Sequence, residues 1–374
     1  MTGIERRSAA PTPRRRNRAP RQCTPTRATI LTGQYGFRTD VLQVFEKLED
    51  TTSIQDLLAD QAGYANAVVG KWHLGGQTPD LDDPARFGVE HYAGFLMGDL
   101  DDYSAWTAID GDVADRTTEY STTWMTDKAI DWIRAEADKP WFLWLAYNAP
   151  HAPYHLPPED LHRHRTLSGD RADVRANPRP YFLAMAEALD TELGRLLDSM
   201  PTEVRDKTTI MFIGDNGTDA RVVGPHSEPA HAKSTVFEGG VRVPLIVSGH
   251  GVSRRGDRED SLVNGTDLFA TIAHLGGHPD TTINDGTSFA GAFTDADFVG
   301  RTHVYTEFSG VWAVRDARYK LIQHEIGERL LFDLESDPSE TENLLASNPT
   351  PELEAIADGL AAYKDELESA PLGD

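Results

Sequence analysis

The sequence predicts an α/β protein, with a mostly parallel sheet flanked by helices and then a small C-terminal subdomain built on an antiparallel sheet. Two observations carry this expectation. Over residues 53–275, segments with helical spacing of apolar residues alternate with short, nearly continuous apolar runs, as expected when helices connect parallel strands. From about residue 303 the pattern changes to four short strand-like runs separated by turn residues, which reads as an antiparallel sheet. With 374 residues, 39% of them hydrophobic, the chain can bury a large core and still build a second, smaller unit.

Taken in order, residues 1–22 hold seven Arg against one Glu, with no aromatic residue. No apolar stretch follows Arg6-Arg7 as it would in a secretory or twin-arginine signal, so the segment reads as a disordered basic arm; the location is left open, cytoplasmic for the chain as written, with an export signal lost with the front end as the alternative. The formal charge of the whole chain is −24, so the part after the arm is more acidic still, which disfavours nucleic acid and anionic membrane surfaces as partners. Helices are then expected over residues 53–61, 122–137, 181–197 and 266–275, the second on the spacing of Trp124, Ala129, Ile130 and Ile133. Strands are expected over 64–70, 140–147, 209–213 and 243–248. The runs 303–308, 312–315, 319–323 and 330–334 form the antiparallel sheet, closed by a helix over 351–366, with a boundary near residue 300 that separates a main domain (23–300) from a C-terminal subdomain (301–374).

Cys23 is the only cysteine, which rules out an internal disulfide or redox pair. Pro25 argues against a regular element at that point, and Arg27 puts a fixed cation four residues away. On these residues alone Cys23 is either a small buried hydrophobe or a nucleophile activated by a histidine elsewhere in the chain. Four further motifs carry polar groups at the ends of expected strands. In Gly70-Lys71-Trp72-His73-Leu74-Gly75, the Lys and His project where open α/β sheets gather ligands. In Asn148-Ala149-Pro150-His151-Ala152-Pro153, two prolines restrict the backbone around His151, while His155 and His162 read as loop residues. Ile213-Gly214-Asp215-Asn216-Gly217 offers two hard oxygen ligands suited to Ca²⁺ or Mg²⁺, and is equally a common turn. In the segment Lys233 to Pro244, Glu238 and Arg242 read as structural, and His226 and His231 upstream are candidates to line a pocket.

The run Cys23-Thr24-Pro25-Thr26-Arg27 with Leu31-Thr32-Gly33, followed by these four motifs in this order, resembles the type I sulfatases of the alkaline phosphatase-like superfamily, and the likeness extends from Cys23 to about Leu344. The resemblance implies the alkaline phosphatase-like fold and hydrolysis of sulfate monoesters of a small molecule or carbohydrate. It implies that a formylglycine-generating enzyme oxidises Cys23 to Cα-formylglycine, whose hydrate attacks sulfur. By the same resemblance Lys71 and Lys233 hold the sulfate, His151 protonates the leaving alcohol, His73 contacts the formylglycine and is the candidate base, and Arg27 supports residue 23. Asp215, Asn216 and residue 23 would ligate a divalent cation, Ca²⁺ first, with Mg²⁺ and Mn²⁺ as alternatives. The competing readings are a phosphonate or phosphate ester hydrolase of the same superfamily and an inactive binding protein. One departure stands out: members of the family begin with an apolar strand ending in two adjacent aspartates that bind the metal, where this chain has the Arg/Pro-rich arm. The expectation is therefore that two ligands and one buried strand are missing from the chain as written. Asp99, Asp101 and Asp102 read as a surface acidic loop rather than as replacement ligands.

Overall fold

The computed structural model describes residues 23–372 apart from 226, 325–326 and 348; the basic arm expected over 1–22 and His226 lie outside the described residues. Its first element is helix α1 (Cys23–Thr32). Pro25 therefore does not break regular structure there, contrary to the sequence expectation. In the first turn of a helix a proline lacks only an N–H that has no intrahelical acceptor, so it is tolerated.

Five strands form the principal sheet: β1 (Ala65–Lys71), β2 (His91–Phe95), β3 (Trp106–Asp110), β4 (Val113–Thr117) and β5 (Trp141–Ala146), in the order β4-β3-β2-β1-β5. The pairs β1–β2 and β1–β5 are parallel, and β3 and β4 extend the sheet as an antiparallel hairpin on the far side of β2. The apolar run of β1 is buried almost throughout, as expected for a strand covered on both faces. Its Gly70 has φ 118°, and a Cβ there would lie 2.2 Å from the Ala146 carbonyl oxygen, so only glycine lets β5 pair with the end of β1.

Helix α2 (Ile54–Ala62) starts at a reciprocal capping box, in which Ser53 Oγ accepts from Asp56 N and Asp56 Oδ2 accepts from Ser53 N, both at 3.0 Å. It joins α1, β1, β2 and a later helix in one core built around Leu31, Ile54, Leu58, Val68, Trp72 and Phe269. On the opposite face α3 (Ser121–Glu136) packs Trp124 and Met125 against Val69, Phe95 and Trp106, and α4 (Pro178–Ser199) packs on α3.

β6 (Thr209–Ile213) and β7 (Leu245–Gly249) make a separate antiparallel pair rather than joining the principal sheet. Among the described residues β5 pairs only with β1 and β6 only with β7, and every residue of the apolar run Thr209–Ile213 is only half-buried. Trp144 of β5 and Met211 and Ile213 of β6 nevertheless pack on the same cluster around Ile30, Leu268 and Phe289. α5 (Thr266–Leu275) supplies Leu268 and is followed by the small hairpin β8 (Thr282–Ile283) and β9 (Gly286–Thr287).

The C-terminal meander β10 (Val304–Phe308), β11 (Val311–Arg315), β12 (Tyr319–His324) and β13 (Arg329–Asp333) is antiparallel throughout, and α6 (Pro351–Ser369) packs on β11 and β12. Buried Lys320 of this sheet lies 2.9 Å from both Glu238 and Glu340, which ties the meander to the loop that follows Lys233.

Candidate active site

The strand ends bring the sequence motifs together. Lys71 closes β1 and His73 follows it by two residues, His151 lies in the loop after β5, and Asp215 and Asn216 come directly after β6. Cys23, 1% exposed, sits in the first turn of α1, so the positive end of the helix dipole lies beside its side chain. Around its Sγ, Asn216 Nδ2 and Lys233 Nζ each donate at 3.5 Å. The thiol also hydrogen-bonds the Asp215 carboxylate, so residues 192 and 210 positions downstream close on residue 23.

The local charge is predominantly positive. Arg27, Lys71 and Lys233 act on a single buried carboxylate, Asp215. Burial alone would raise the Asp215 pKa, but Lys233, Lys71 and Arg27 outweigh it and hold the carboxyl below its ordinary value. Burial pushes both Lys71 and Arg27 down from their ordinary values, against the attraction of Cys23 and Asp215. Arg27 is set by two contacts: its Nη1 donates to the Lys71 carbonyl at 2.5 Å, and its guanidinium lies 5.6 Å from the centre of the Trp144 ring. It thus holds the end of β1 in place beneath residue 23.

His73 is 4% exposed and adopts φ 59°, a left-handed conformation uncommon outside glycine. Its Nε2 lies 3.4 Å from Thr24 Oγ1, one residue from Cys23, and its ring stands edge-on to Phe45. Gly98 gives it room, since a Cβ at that position would come within 2.4 Å of Nε2. His151 is fixed differently. Its Nδ1 donates to the Ala152 carbonyl at 2.7 Å, and its own carbonyl accepts from the hydroxyl of buried Tyr103 at 2.7 Å. Burial, then Lys71 and Lys233, push the His151 pKa down to about 4, with Asp99 and the Ala152 carbonyl opposing.

Sequence reasoning missed three contributors. Asp99 shares its loop with exposed Asp101 and Asp102, but unlike them it turns a buried Oδ1 inward to within 3.5 Å of His151 Nδ1. Gly98 and Tyr103 flank it and set His73 and His151 respectively. All three follow β2, whose Gly- and His-containing run gave no strand signal. His155, read as a loop residue, is sandwiched against Tyr103 and Tyr120, and His162 is buried with Nε2 donating to the Pro157 carbonyl. His231 stacks on Phe237 at 3.8 Å and hydrogen-bonds Ser339, on the C-terminal side of the loop.

A cation would find part of a coordination shell here. Asn216 Oδ1 is buried without a hydrogen-bond partner, the state expected of an amide oxygen kept for a metal, and it adjoins the buried Asp215 carboxylate and the side chain of residue 23. Among the described residues no group of three or more His, Cys, Asp and Glu side chains converges as a metal site.

Residues 18–278 match the family model described as sulfatase, and residues 229–366 match that of the N-sulphoglucosamine sulphohydrolase C-terminal region. This chain belongs to the sulfatase family. Choline-sulfatase of Rhizobium meliloti (strain 1021) is 27% identical over 92% of this chain and 76% of its own length. Arylsulfatase J of Mus musculus is also 27% identical, over 68% of this chain and 44% of its own length. Among solved structures, a putative sulfatase from Bacteroides fragilis superposes with a TM-score of 0.76 at 19% identity, covering 94% of this chain and 87% of that one. A protein in complex with its substrate D-glucosamine-2-N,6-O-disulfate superposes with a TM-score of 0.71 at 21% identity, covering 93% and 88%. These likenesses give the sulfatase chain its alkaline phosphatase-like architecture; formylglycine chemistry and a bound metal are properties of the family.

Proposed function

We propose that this chain hydrolyses sulfate monoesters, with residue 23, matured from cysteine to formylglycine, as the nucleophile. The observation that carries the proposal is the convergence of Lys233 Nζ, Asn216 Nδ2 and the Asp215 carboxylate on Cys23 Sγ, a set of polar partners suited to the oxygens of a hydrated aldehyde. A plain thiol attacks once but has no second hydroxyl with which to expel sulfate. Maturation is therefore required for turnover.

The chain's own groups account for each step. Lys71 and Lys233 bind the sulfate oxygens in a site that is largely shielded from water, where fixed cations act strongly on charge that builds up in the transition state. One hydroxyl of the hydrated residue 23 gives its proton to the Asp215 carboxylate that hydrogen-bonds the side chain there and attacks sulfur, the ester S–O bond breaks, and His151 Nε2 gives its proton to the departing alcohol. His73, held beside residue 23 through Thr24, takes the proton of the remaining hydroxyl. The C–O bond to sulfate then breaks, the aldehyde returns, and water rehydrates it. Asp215, Asn216 and residue 23 would hold the cation, for which we propose Ca²⁺ with Mg²⁺ and Mn²⁺ as alternatives, and when bound it would lower the charge at the nucleophile and the sulfate.

The low pKa of His151 fits this scheme only with substrate present. In the free protein, burial together with Lys71 and Lys233 keeps the imidazole neutral; an anionic sulfate between the lysines cancels part of their charge and lets His151 take up the proton it delivers. The test uses protein produced together with a formylglycine-generating enzyme and paired aryl sulfates and aryl phosphates. Sulfate turnover that exceeds phosphate turnover and disappears in Cys23→Ala supports the proposal. Faster phosphate ester hydrolysis, or equal rates with Cys23→Ala, overturns it.

A further inference from the structure

We propose that Asp99 is a positioning residue for His151, orienting its imidazole and stabilising the protonated form that acts on the leaving group. The inference rests on the proposed sulfate ester hydrolysis, and it adds a residue that none of the sequence motifs contains.

The geometry identifies which nitrogen works. His151 Nδ1 lies 2.7 Å from the Ala152 carbonyl oxygen, which can only accept, so Nδ1 carries a hydrogen in either protonation state. Nε2 is then the atom that gains and loses a proton. Asp99 Oδ1 stands 3.5 Å from the same Nδ1, on the side of the ring remote from the reacting atom. There a carboxylate fixes the tautomer and ring plane, and favours the imidazolium without competing for the substrate.

The charged groups facing His151 come from three elements. Lys71 at the end of β1 and Lys233 in the loop before Glu238 both oppose protonation, while Asp99 in the loop after β2 favours it. The Tyr103 hydroxyl holds the backbone by donating to the His151 carbonyl. Asp99 is thus the carboxylate that offsets two lysines whose charges the sulfate site needs. Its side chain is about one-third exposed and that of His151 about one-sixth, so the pair lies at the wall of the site rather than in bulk solvent. Gly98, immediately before it, packs on His73, so a single dipeptide contacts both candidate proton-transfer histidines.

The experiment compares the matured protein with Asp99→Asn and Asp99→Glu. Removing a carboxylate this close lowers the protonated fraction of His151 at a given pH by about tenfold. In Asp99→Asn, kcat for phenyl sulfate should therefore fall about tenfold or more, and the alkaline limb of its pH profile should move toward acid. Nitrophenyl sulfate, whose alcohol needs little protonation, should lose much less, and Asp99→Glu should restore part of the phenyl sulfate rate. A second readout needs no turnover: the ¹⁵N signal of His151 Nε2, titrated in the presence of inorganic sulfate, should report a lower midpoint in Asp99→Asn. An unmoved midpoint, or equal losses on both esters with an unmoved pH profile, overturns the inference. If the parent protein turns over no sulfate ester at all, the proposed function fails, and the NMR titration still decides whether Asp99 controls the His151 proton.

Discussion

Replacing Lys233 by alanine should produce a defect with two linked signatures. Its Nζ lies 3.5 Å from Cys23 Sγ, within direct reach of a sulfate group carried on that residue, and the surrounding site is largely buried. Loss of one preorganised donor to transition-state charge typically costs about 10²–10³ in kcat, or about 2.7–4 kcal/mol. The second signature follows from His151. Burial, Lys71 and Lys233 together hold its pKa at about 4, so deleting the Lys233 charge favours the imidazolium and raises the pKa, while burial and Lys71 still keep it below its ordinary value. Activity that depends on protonated His151 then survives to higher pH in Lys233→Ala than in the parent, even as its ceiling drops. The assay is kcat and KM for phenyl and nitrophenyl sulfates across the acid-to-neutral range, with Lys233→Arg as the charge-retaining control. A rise in KM with kcat unchanged would mean that Lys233 contributes equally to ground state and transition state, and an unmoved pH profile would mean that it does not act on His151; either result refutes the reasoning.

Three further outcomes follow from the same geometry. Gly98→Ala, whose Cβ would press to within 2.4 Å of the buried His73 ring, should sharply reduce turnover while leaving thermal unfolding cooperative; full activity would show that His73 is free to shift. Lys320→Met leaves Glu238 and Glu340 buried together, so denaturant unfolding at neutral pH should show a loss of about 3–5 kcal/mol. Burial already raises the Glu340 pKa, and removing Lys320 raises it further, so this deficit should shrink as pH falls and Glu340 takes up a proton. A loss that grows in acid would contradict that account. With Asp215, Asn216 and residue 23 as the proposed ligands, calorimetry should find that Asp215→Ala and Asn216→Ala each weaken Ca²⁺ binding, because each removes an oxygen ligand; binding unchanged in both would show that they do not hold the ion.

The sequence is most legible where chemistry sits at the end of an apolar run. The strands ending at Lys71, before His151 and before Asp215 are short, dense in Val, Ile, Leu and Trp, and followed at once by polar motifs, so periodicity and punctuation point to the same places. The principal departures arise where tertiary context overrides local pattern. A proline in the first turn does not prevent α1 from starting at Cys23, because that position requires no intrahelical N–H bond. β2 and the β3–β4 hairpin carry no clear strand signal because Gly94, Ala108 and the polar residues of β4 break the β-branched alternation that marks a strand, and β4 is held by pairing at the sheet edge. The contact of Asp99 with His151 is hidden for the same reason: with no strand signal over β2, nothing in the sequence aims the residue after Gly98 at a histidine more than fifty positions away. The separation of β6–β7 from the principal sheet is likewise a matter of which edges meet, which no local pattern encodes.

The central claim is that residue 23 works as formylglycine, and mass spectrometry of the peptide containing it tests that claim most directly. The protein is produced with a formylglycine-generating enzyme, digested and treated with an aldehyde-reactive label. The account predicts that the Cys23 peptide carries the aldehyde and the label, and that Pro25→Ala and Arg27→Ala each reduce the conversion. A peptide that keeps its thiol throughout, with both substitutions making no difference, would contradict it.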